Sequence, residues 1–318
     1  MLSNKDIFVV VDGHAVVYRA YHAFPPLTTP EGELVNAVYG FSRILLKVIK
    51  DLHPEYIAVA FDMGKPTFRH ASFAGYKAQR KETPTDLISQ LGRVREVVET
   101  LNIPIFGVEG YEADDVIGTI SEKIAQNEQY NTVRTIILTG DRDAYQLIRD
   151  EKTTVYMPAH HREEAREYSS ADVEERMGIG PHEIVDYKAL AGDASDNIPG
   201  VKGVGEKTAT SLIKAFGTVD EIYKKLTAPT SLTAEQKKVL TPRLVKLLSE
   251  DYEAAKLSQQ LATIDCAVPL QFDLEACRVS GYEKDKAVSM FEKLGFRTLL
   301  PLLPLDAFEL GVQEALFV

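Results

Sequence analysis

Acidic residues recur in this sequence directly after short apolar runs, where carboxylates can bind hard cations. Asp12 follows Val9-Val10-Val11, and Asp62 follows Ala58-Val59-Ala60-Phe61. Asp141 and Asp143 lie in Thr-Gly-Asp-Arg-Asp, just beyond the apolar residues 134–138. Glu112, Asp114 and Asp115 open a helical stretch behind a Gly-Tyr turn, and Asp193 and Asp196 stand in Gly-Asp-Ala-Ser-Asp-Asn. Taken singly, each has a plainer reading. Asp141 could cap a short helix beginning near Arg142, Glu112 and Asp114 could favour a helix N-terminus, and Asp115 could be a solvated helix residue. Nine such placements point instead to one shared site. Converging carboxylates must take up protons or bind cations. An all-oxygen donor set selects Mg²⁺ or Mn²⁺ over zinc, which favours His or Cys. Enough ligands are present for two ions, and a pair about 3.5–4 Å apart is the recurrent device for in-line phosphodiester displacement.

The elements that would position these acids alternate. Strand patterns occupy 7–11, 56–61, 103–107, 134–138 and 153–156, and helical spacing marks 36–52, 85–101 and, more weakly, 112–126. Thr83 before Pro84 predicts a helix start there. The alternation predicts an α/β fold with a mainly parallel central sheet flanked by helices. Ligands of such sheets sit beyond the strands' carboxyl ends, where the acids are. Beyond residue 168 the pattern is helical, with Ser169, Ser170 and Pro181 as start signals. The change near 158–170, which holds His160 and His161, divides the chain into a core over 1–168 and a helical region over 169–297. Residues 227–234 read as a surface loop, and 298–318 as a Pro- and Leu-rich tail without an assigned role.

Residues 63–84, directly after Asp62, combine Lys65, Arg69, Lys77, Arg80 and Lys81 with Phe68, Phe73 and Tyr76. Cations for phosphates beside aromatics for bases are the usual recipe for single-strand binding, although a solvated basic loop has the same composition. Farther on, Gly200-Val-Lys-Gly-Val-Gly205 precedes a helical stretch. Glu206 stands where a Walker A motif needs Lys. Thr208 stands where a dinucleotide fingerprint needs Gly, and no strand precedes it. A helix-hairpin-helix over about 181–215 fits better, its second helix offering free amides to phosphate. Lys202, Gly203, Gly205 and Lys207 are the candidate contacts; a tight turn between packed helices is the plainer alternative.

The net charge of −11 counts against nucleic acid as a partner only until its distribution is considered. Nine of the acids belong to the candidate site, which leaves about −2 for the rest, and divalent ions would offset part of the cluster. Two cysteines in no CxxC pattern indicate neither a thiolate metal site nor a disulfide framework, and the expected setting is the reducing cytoplasm. The early apolar run is too short for a signal peptide or a membrane span.

The chain resembles the 5′ nuclease domain of bacterial DNA polymerase I and the flap endonuclease family. The likeness rests on Val-Asp-Gly-His with Tyr18-Arg19, Ala37-Val-Tyr-Gly-Phe41, Phe61-Asp62, Phe68-Arg-His70 and Gly75-Tyr-Lys-Ala78. It continues through Gly110-Tyr-Glu-Ala-Asp-Asp115, Thr139-Gly-Asp-Arg-Asp143, Gly192-Asp-Ala-Ser-Asp-Asn197 and Ile198 to Ala209. Ordered matches cover about 7–226. The resemblance implies a PIN-like core, a helical arch at about 63–84 and a duplex clamp at the hairpin, which a K⁺ ion often assists. It implies Asp12, Asp62, Glu112 and Asp114 around a first Mg²⁺, which Mn²⁺ could replace. Asp141, Asp143 and Asp196 would serve a second ion, with Asp115 and Asp193 nearby. Lys77 and Arg69 are expected at the scissile phosphate, Arg80 and Lys81 in strand steering, Tyr76 in stacking and Arg19 at phosphate or the acids. The implied activity is structure-specific 5′-3′ exonuclease and flap endonuclease hydrolysis in replication and repair. Expected partners are branched, flapped or nicked DNA, RNA primers annealed to DNA, and an associated polymerase or ligase. The chain is expected to be monomeric and free of membranes. The resemblance lacks a following polymerase domain, so a standalone nuclease is expected. A noncatalytic junction-binding module and an RNase on a similar sheet are the rival readings.

Overall fold

The computed structural model describes residues 6–159, 163–228 and 232–316; His160, His161 and part of the 227–234 loop lie outside the described residues. Strands β1 (Asp6–Asp12), β2 (Tyr56–Ala60), β3 (Ile105–Phe106), β4 (Val133–Leu138), β5 (Thr153–Met157) and β6 (Arg166–Tyr168) form one sheet. Their order is β3-β2-β1-β4-β5-β6. The first five run parallel, and β6 closes the edge antiparallel to β5. Parallel strands are covered on both faces, which is why Phe8–Val11 and Ile57–Ala60 are buried without interruption. Alternate side chains divide between the faces. Phe8, Val10, Ala58 and Ala60 enter one core, while Val9, Val11, Ile57 and Val59 enter the other. Strand β6 was not expected, because three residues carry no readable period.

On the face lined by Val9 and Val11 lie α1 (Gly13–Ala23) and α2 (Asn36–Leu52). After the short α3 (Phe68–Ser72), α4 (Thr85–Thr100) joins the same face, while α5 (Ala113–Gln126) covers the opposite one. Helix α2 has the range its spacing predicts. Helix α4 begins one residue later than expected, with Pro84 as its N-cap. The order in which strands join the sheet reverses between the parallel neighbours β1 and β4, so a crevice opens at their carboxyl ends, where Asp12 and the 139–143 loop sit.

Helices α6 (Ser170–Met177), α7 (Ile184–Ala191), α8 (Glu206–Phe216) and α9 (Val219–Thr227) follow. They continue as α10 (Ala234–Val239), α11 (Pro242–Glu250) and α12 (Tyr252–Ala262). The core on the α5 side runs without a break from Phe8 through Ile184 and Leu212 to Leu248. The pattern change near residue 168 therefore marks a shift in local structure within continuous packing. The expected tail also needs correction. Leu299 and Leu303 are buried beside Phe291 of α13 (Lys284–Lys293), so the segment from 298 to 303 completes the core on the α2 side. Only then does α14 (Ala307–Leu316) follow, with Phe308 exposed. No helix among the described residues is long and apolar enough to cross a membrane.

Candidate active site

Asp12 is both the last residue of β1 and the N-cap of α1. Its Oδ1 accepts from the Ala15 amide at 3.0 Å, and its Oδ2 accepts from Thr139 Oγ1 at 2.8 Å. Asp62 Oδ1 accepts from the Ala113 amide at 2.7 Å, which ties the end of β2 to the start of α5. In the loop after β4, Asp141 Oδ1 accepts from the Asp143 amide at 2.9 Å. Asp114 projects from the first turn of α5, and no hydrogen-bond donor reaches it among the described residues. Burial pushes Asp12 and Asp143 up to about 6, against the help Asp12 receives from Ala15 and Thr139 and Asp143 from Lys188. The negative charge of Asp141 adds to both shifts. Asp114 is raised further by burial and then by Asp12, Asp141 and Asp143. Asp12, Asp62, Asp114, Asp141 and Asp143 thus feel one another across the crevice.

The remaining acids are held by the chain's own cations. Lys77 Nζ donates to Glu112 Oε1 at 2.9 Å and lies 3.8 Å from Asp196. Arg80 reaches Asp196 at 2.5 Å. Lys188 of α7 bridges Asp143 and Asp193, the latter at 2.5 Å. Burial opposes ionisation of Asp193, yet Lys188 and Ser195 hold it down at about 2. The nine acids therefore do not form one open ligand shell. Among the described residues no three acids, histidines or cysteines stand placed to grip an ion with these internal cations in position.

Three expected roles change. Arg69 is 2% exposed and pairs with both oxygens of Asp115, at 2.8 and 2.7 Å. Its remaining donors reach the Leu261 and Thr263 carbonyls at 3.0 and 2.6 Å. Asp115 also accepts the Glu112 and Asp265 amides. A guanidinium so fully engaged cannot meet a phosphate, and a carboxylate so fully engaged cannot meet a metal. The pair instead joins α3, α5 and the end of α12. Arg69→Ala leaves Asp115 charged, buried and unpaired, and is expected to lower unfolding stability by about 3–5 kcal/mol. Urea denaturation in EDTA measures this, and an unchanged midpoint contradicts the tie.

Tyr76, expected to stack on bases, is buried, and its hydroxyl donates to Glu112 Oε2 and Asp196 Oδ2 at 3.0 and 3.2 Å. Phe73 packs against the small core around Tyr76, Ile198 and Leu261, and Phe68 covers Arg69. The basic segment is helical only in α3; residues 74–79 form turns and the rest is bend or irregular chain. It docks on the Asp193–Asn197 turn through Lys77 N to Asp196 O at 2.9 Å and Asn197 Nδ2 to Gly75 O at 2.7 Å. Lys77 and Asn197 both have left-handed backbones, φ 54° and 56°, a conformation that surrounding contacts must hold. Lys81 is exposed. Arg19 lies against Gly140 and donates to the Pro158 carbonyl at 2.5 Å, linking the 139–143 loop to the end of β5.

Lys188 was not singled out from the sequence, and Thr139 and His14 stood in quoted motifs without a role of their own. His14 Nδ1 accepts the Asp62 amide at 3.1 Å, fixing that acid's backbone. Lys188 had a signal, since it shares a helical stripe with buried Ile184. A lysine on a buried stripe needs an acid partner.

The raised acids predict a pH dependence. Between the ordinary value of 3.8 and about 6, folded Asp12 and Asp143 hold protons that the unfolded chain has released. Stability of the metal-free protein is therefore expected to fall as pH rises through that window. Burial of His14 acts in the opposite sense nearer neutrality. Melting curves in EDTA from pH 4 to 6 test the slope, and a flat profile, or one unaltered in Asp143→Asn, contradicts it.

The glycine turn joins α7 to α8. Gly192 and Gly200 pack backbone to backbone, both at positive φ, and a Cβ on Gly200 would lie 2.3 Å from the Gly192 nitrogen. Gly203 adopts φ +84° and Gly205 caps α8. Lys202 and Lys207 are exposed beside them.

With this geometry in hand, a family model described as "5′-3′ exonuclease, N-terminal resolvase-like domain" matches residues 7–178. A second, "5′-3′ exonuclease, C-terminal SAM fold", matches 179–285. The chain belongs to the 5′-3′ exonuclease family. The DNA polymerase I of Chloroflexus aurantiacus is 42% identical to this chain over 294 residues, covering 91% of the chain and 30% of that protein. The DNA polymerase I of Bacillus subtilis is 37% identical over 315 residues, covering 99% and 34%. The chain thus spans about a third of the length of these curated relatives. Its fold is that of the bacteriophage T5 flap endonuclease solved with DNA and metal ions, at a TM-score of 0.65, 21% identity and coverage of 91% and 99%. The catalytic core of Rad2 with a DNA substrate aligns at 0.57, with 17% identity and coverage of 94% and 93%.

Proposed function

We propose that this exonuclease cuts DNA by structure, at flaps and nicks near 5′ ends, with divalent cations bound among the acids beyond β1 and β4. The observation that carries the reading is Asp114, an acid that no hydrogen-bond donor reaches among the described residues and whose charge Asp12, Asp141 and Asp143 oppose. An oxygen-only pocket of mutually repelling acids fits Mg²⁺ or Mn²⁺. Asp12, Asp62, Glu112 and Asp114 would hold one ion and Asp141, Asp143 and Asp196 the other, with Asp193 nearby. When bound, the pair supplies hydroxide generation and leaving-oxygen stabilisation.

The protein's own part is to position and to exclude. Thr139 and Ala113 fix the carboxylates of Asp12 and Asp62, and the Arg69–Asp115 pair fixes the helix that carries Asp114. Lys77 and Arg80, which pair with Glu112 and Asp196, would supply positive charge to the scissile phosphate. The hairpin grips duplex through amides and Lys207, without reading sequence, and a K⁺ ion there belongs to the same reading. RNA primers annealed to DNA are further substrates. The names of the curated relatives support a polymerase as an associated activity, and the free thiols Cys266 and Cys277 fit a reducing cytoplasm.

A gel of 5′-labelled flap, nicked, blunt-duplex and single-stranded DNA, with Mg²⁺ or EDTA, tests the proposal. Flap and nick cleavage that vanishes in EDTA is expected. Equal cutting of all substrates removes the structural selectivity, and no cutting with intact binding favours the junction-binding module.

A further inference from the structure

The chain's own cations are shared unevenly among the acids of the crevice. Among the described residues no lysine or arginine pairs with Asp12, Asp62 or Asp114, and Asp62 is met by His14 at 3.3 Å. Glu112 and Asp196 are met by Lys77 and Arg80, whose side chains come from the basic segment and keep contact with solvent. Asp143 is held differently. Its partner Lys188 is buried and belongs to α7.

Lys188 has little freedom to leave. Ala189 and Leu190 beside it and Ile184 one turn earlier are buried. The Gly192 amide donates to the Lys188 carbonyl at 2.8 Å, and the Val201 amide to the Leu190 carbonyl at 2.9 Å, so the end of α7 is fixed on both sides. An ammonium parted from its acids here would lie unpaired among apolar side chains, a strongly unfavourable state. Asp193 is equally constrained. Its backbone exchanges hydrogen bonds with Ile198 at 2.9 and 2.8 Å. Its Oδ1 accepts the Ser195 amide at 2.8 Å and the Ser195 hydroxyl at 2.6 Å, and its Oδ2 accepts Lys188 Nζ at 2.5 Å. Both oxygens of Asp193 are thus engaged. Asp143 offers only Oδ1 to Lys188, and no donor reaches its Oδ2 among the described residues.

We propose that Lys188 is a tethered counter-ion: clamped by Asp193, it neutralises Asp143 in the metal-free protein and yields that acid to an incoming ion without leaving the crevice. The side of Asp12, Asp62 and Asp114 is therefore loaded first, and the side of Asp143 second and more weakly. The inference rests on the metal-dependent nuclease reading, and it gives Asp193 the task of holding Lys188 rather than an ion. A retained positive charge a few ångströms from a divalent cation opposes its binding. The same charge offsets repulsion among the acids when no cation is there. Lys188 is a positioning residue, which sets the order and relative strength of metal uptake without touching substrate.

Calorimetric titration with Mn²⁺ at pH 7, without DNA, compares the parent with Lys188→Met, which keeps most of the stem and removes the charge. The parent is expected to take up two ions of unequal affinity. In Lys188→Met the weaker step is expected to tighten by about tenfold or more, with the stronger step within a few-fold of the parent. Melting of the same variant in EDTA is expected to fall by about 5 °C or more, because Asp143 and Asp193 lose their partner. A merely structural lysine would lower the melting temperature and weaken both ions together. Lys188→Met/Asp193→Asn removes the pair at once, leaves no lone acid at 193, and is expected still to take up two ions. Loss of one ion in this double variant makes Asp193 a ligand and overturns the clamp. Two ions in the parent, with a weaker step that does not tighten in Lys188→Met, overturn the proposal alone. A parent that takes up no ion overturns the nuclease reading and this inference with it.

Discussion

Asp141→Ala is expected to slow single-turnover flap cleavage in Mg²⁺ by at least about a thousandfold, the rate equivalent of about 4 kcal/mol of lost transition-state stabilisation. Binding of the flap is expected to stay within a few-fold of the parent. Asp141 has this weight because its charge reaches Asp12, Asp114 and Asp143 together. Its amide donates to Thr139 Oγ1 at 3.0 Å, and Thr139 in turn holds Asp12, so the loop after β4 and the end of β1 are set by one hydroxyl. The same substitution carries a second signature. Removing a charge that Asp12, Asp114 and Asp143 repel relaxes that repulsion, so the metal-free variant is expected to melt higher than the parent at pH 7 in EDTA. Lost activity with raised metal-free stability distinguishes a ligand from a structural residue, whose loss lowers both. Full cleavage by Asp141→Ala in Mg²⁺ would end the metal assignment.

Lys77→Ala is expected to reduce the single-turnover rate by about 10²–10³-fold, the scale of losing one well-placed charge at a developing anion. Lys77 is the cation of the basic segment that reaches both Glu112 and Asp196, with its side chain still partly exposed. Its ammonium lies 2.9 Å from Glu112 and 4.9 Å from the Tyr76 ring centre, with a left-handed backbone fixed by Asp196. Arg80, half exposed and bound to Asp196 alone, is expected to matter less and mainly to binding. A merely structural lysine would be rescued in stability and rate together by Lys77→Met, which keeps the stem. A phosphate-facing one recovers rate only in Lys77→Arg. An unchanged single-turnover rate in Lys77→Ala takes it out of the reaction.

The sheet and the placement of the acids were legible because both follow from short-range patterns. Val9-Val10-Val11 and Ala58 to Phe61 are continuous apolar runs, and the position after such a run falls at a strand's carboxyl end. What could not be read was the pairing of those acids. Asp115 and Asp114 are neighbours with the same side chain, yet one faces Arg69 and the Thr263 end of α12 while the other faces Asp12. A rotation of one helical position separates them, and the partner lies about 150 residues away. The aromatics of the 63–84 segment misled for a similar reason. Composition gives Tyr76 a base-stacking reading, whereas its burial depends on Ile198 and Leu261, which the local sequence does not contain. Lys188 was hidden inside an ordinary helix. The core role of Leu299 and Leu303 was masked by a Pro-rich stretch that reads as irregular.

The account stands on positive ions occupying the crevice in place of the chain's own lysines and arginine. Calorimetric titration of the metal-free protein with Mn²⁺ at pH 6, repeated in two buffers of different ionisation heat, addresses this directly. Uptake of about two ions per chain is expected, with proton release because Asp12 and Asp143 are near half-protonation at about 6. Asp12→Asn is expected to lose part of that uptake. No saturable uptake by the parent, or uptake identical in Asp12→Asn, would show that these acids do not hold the metals.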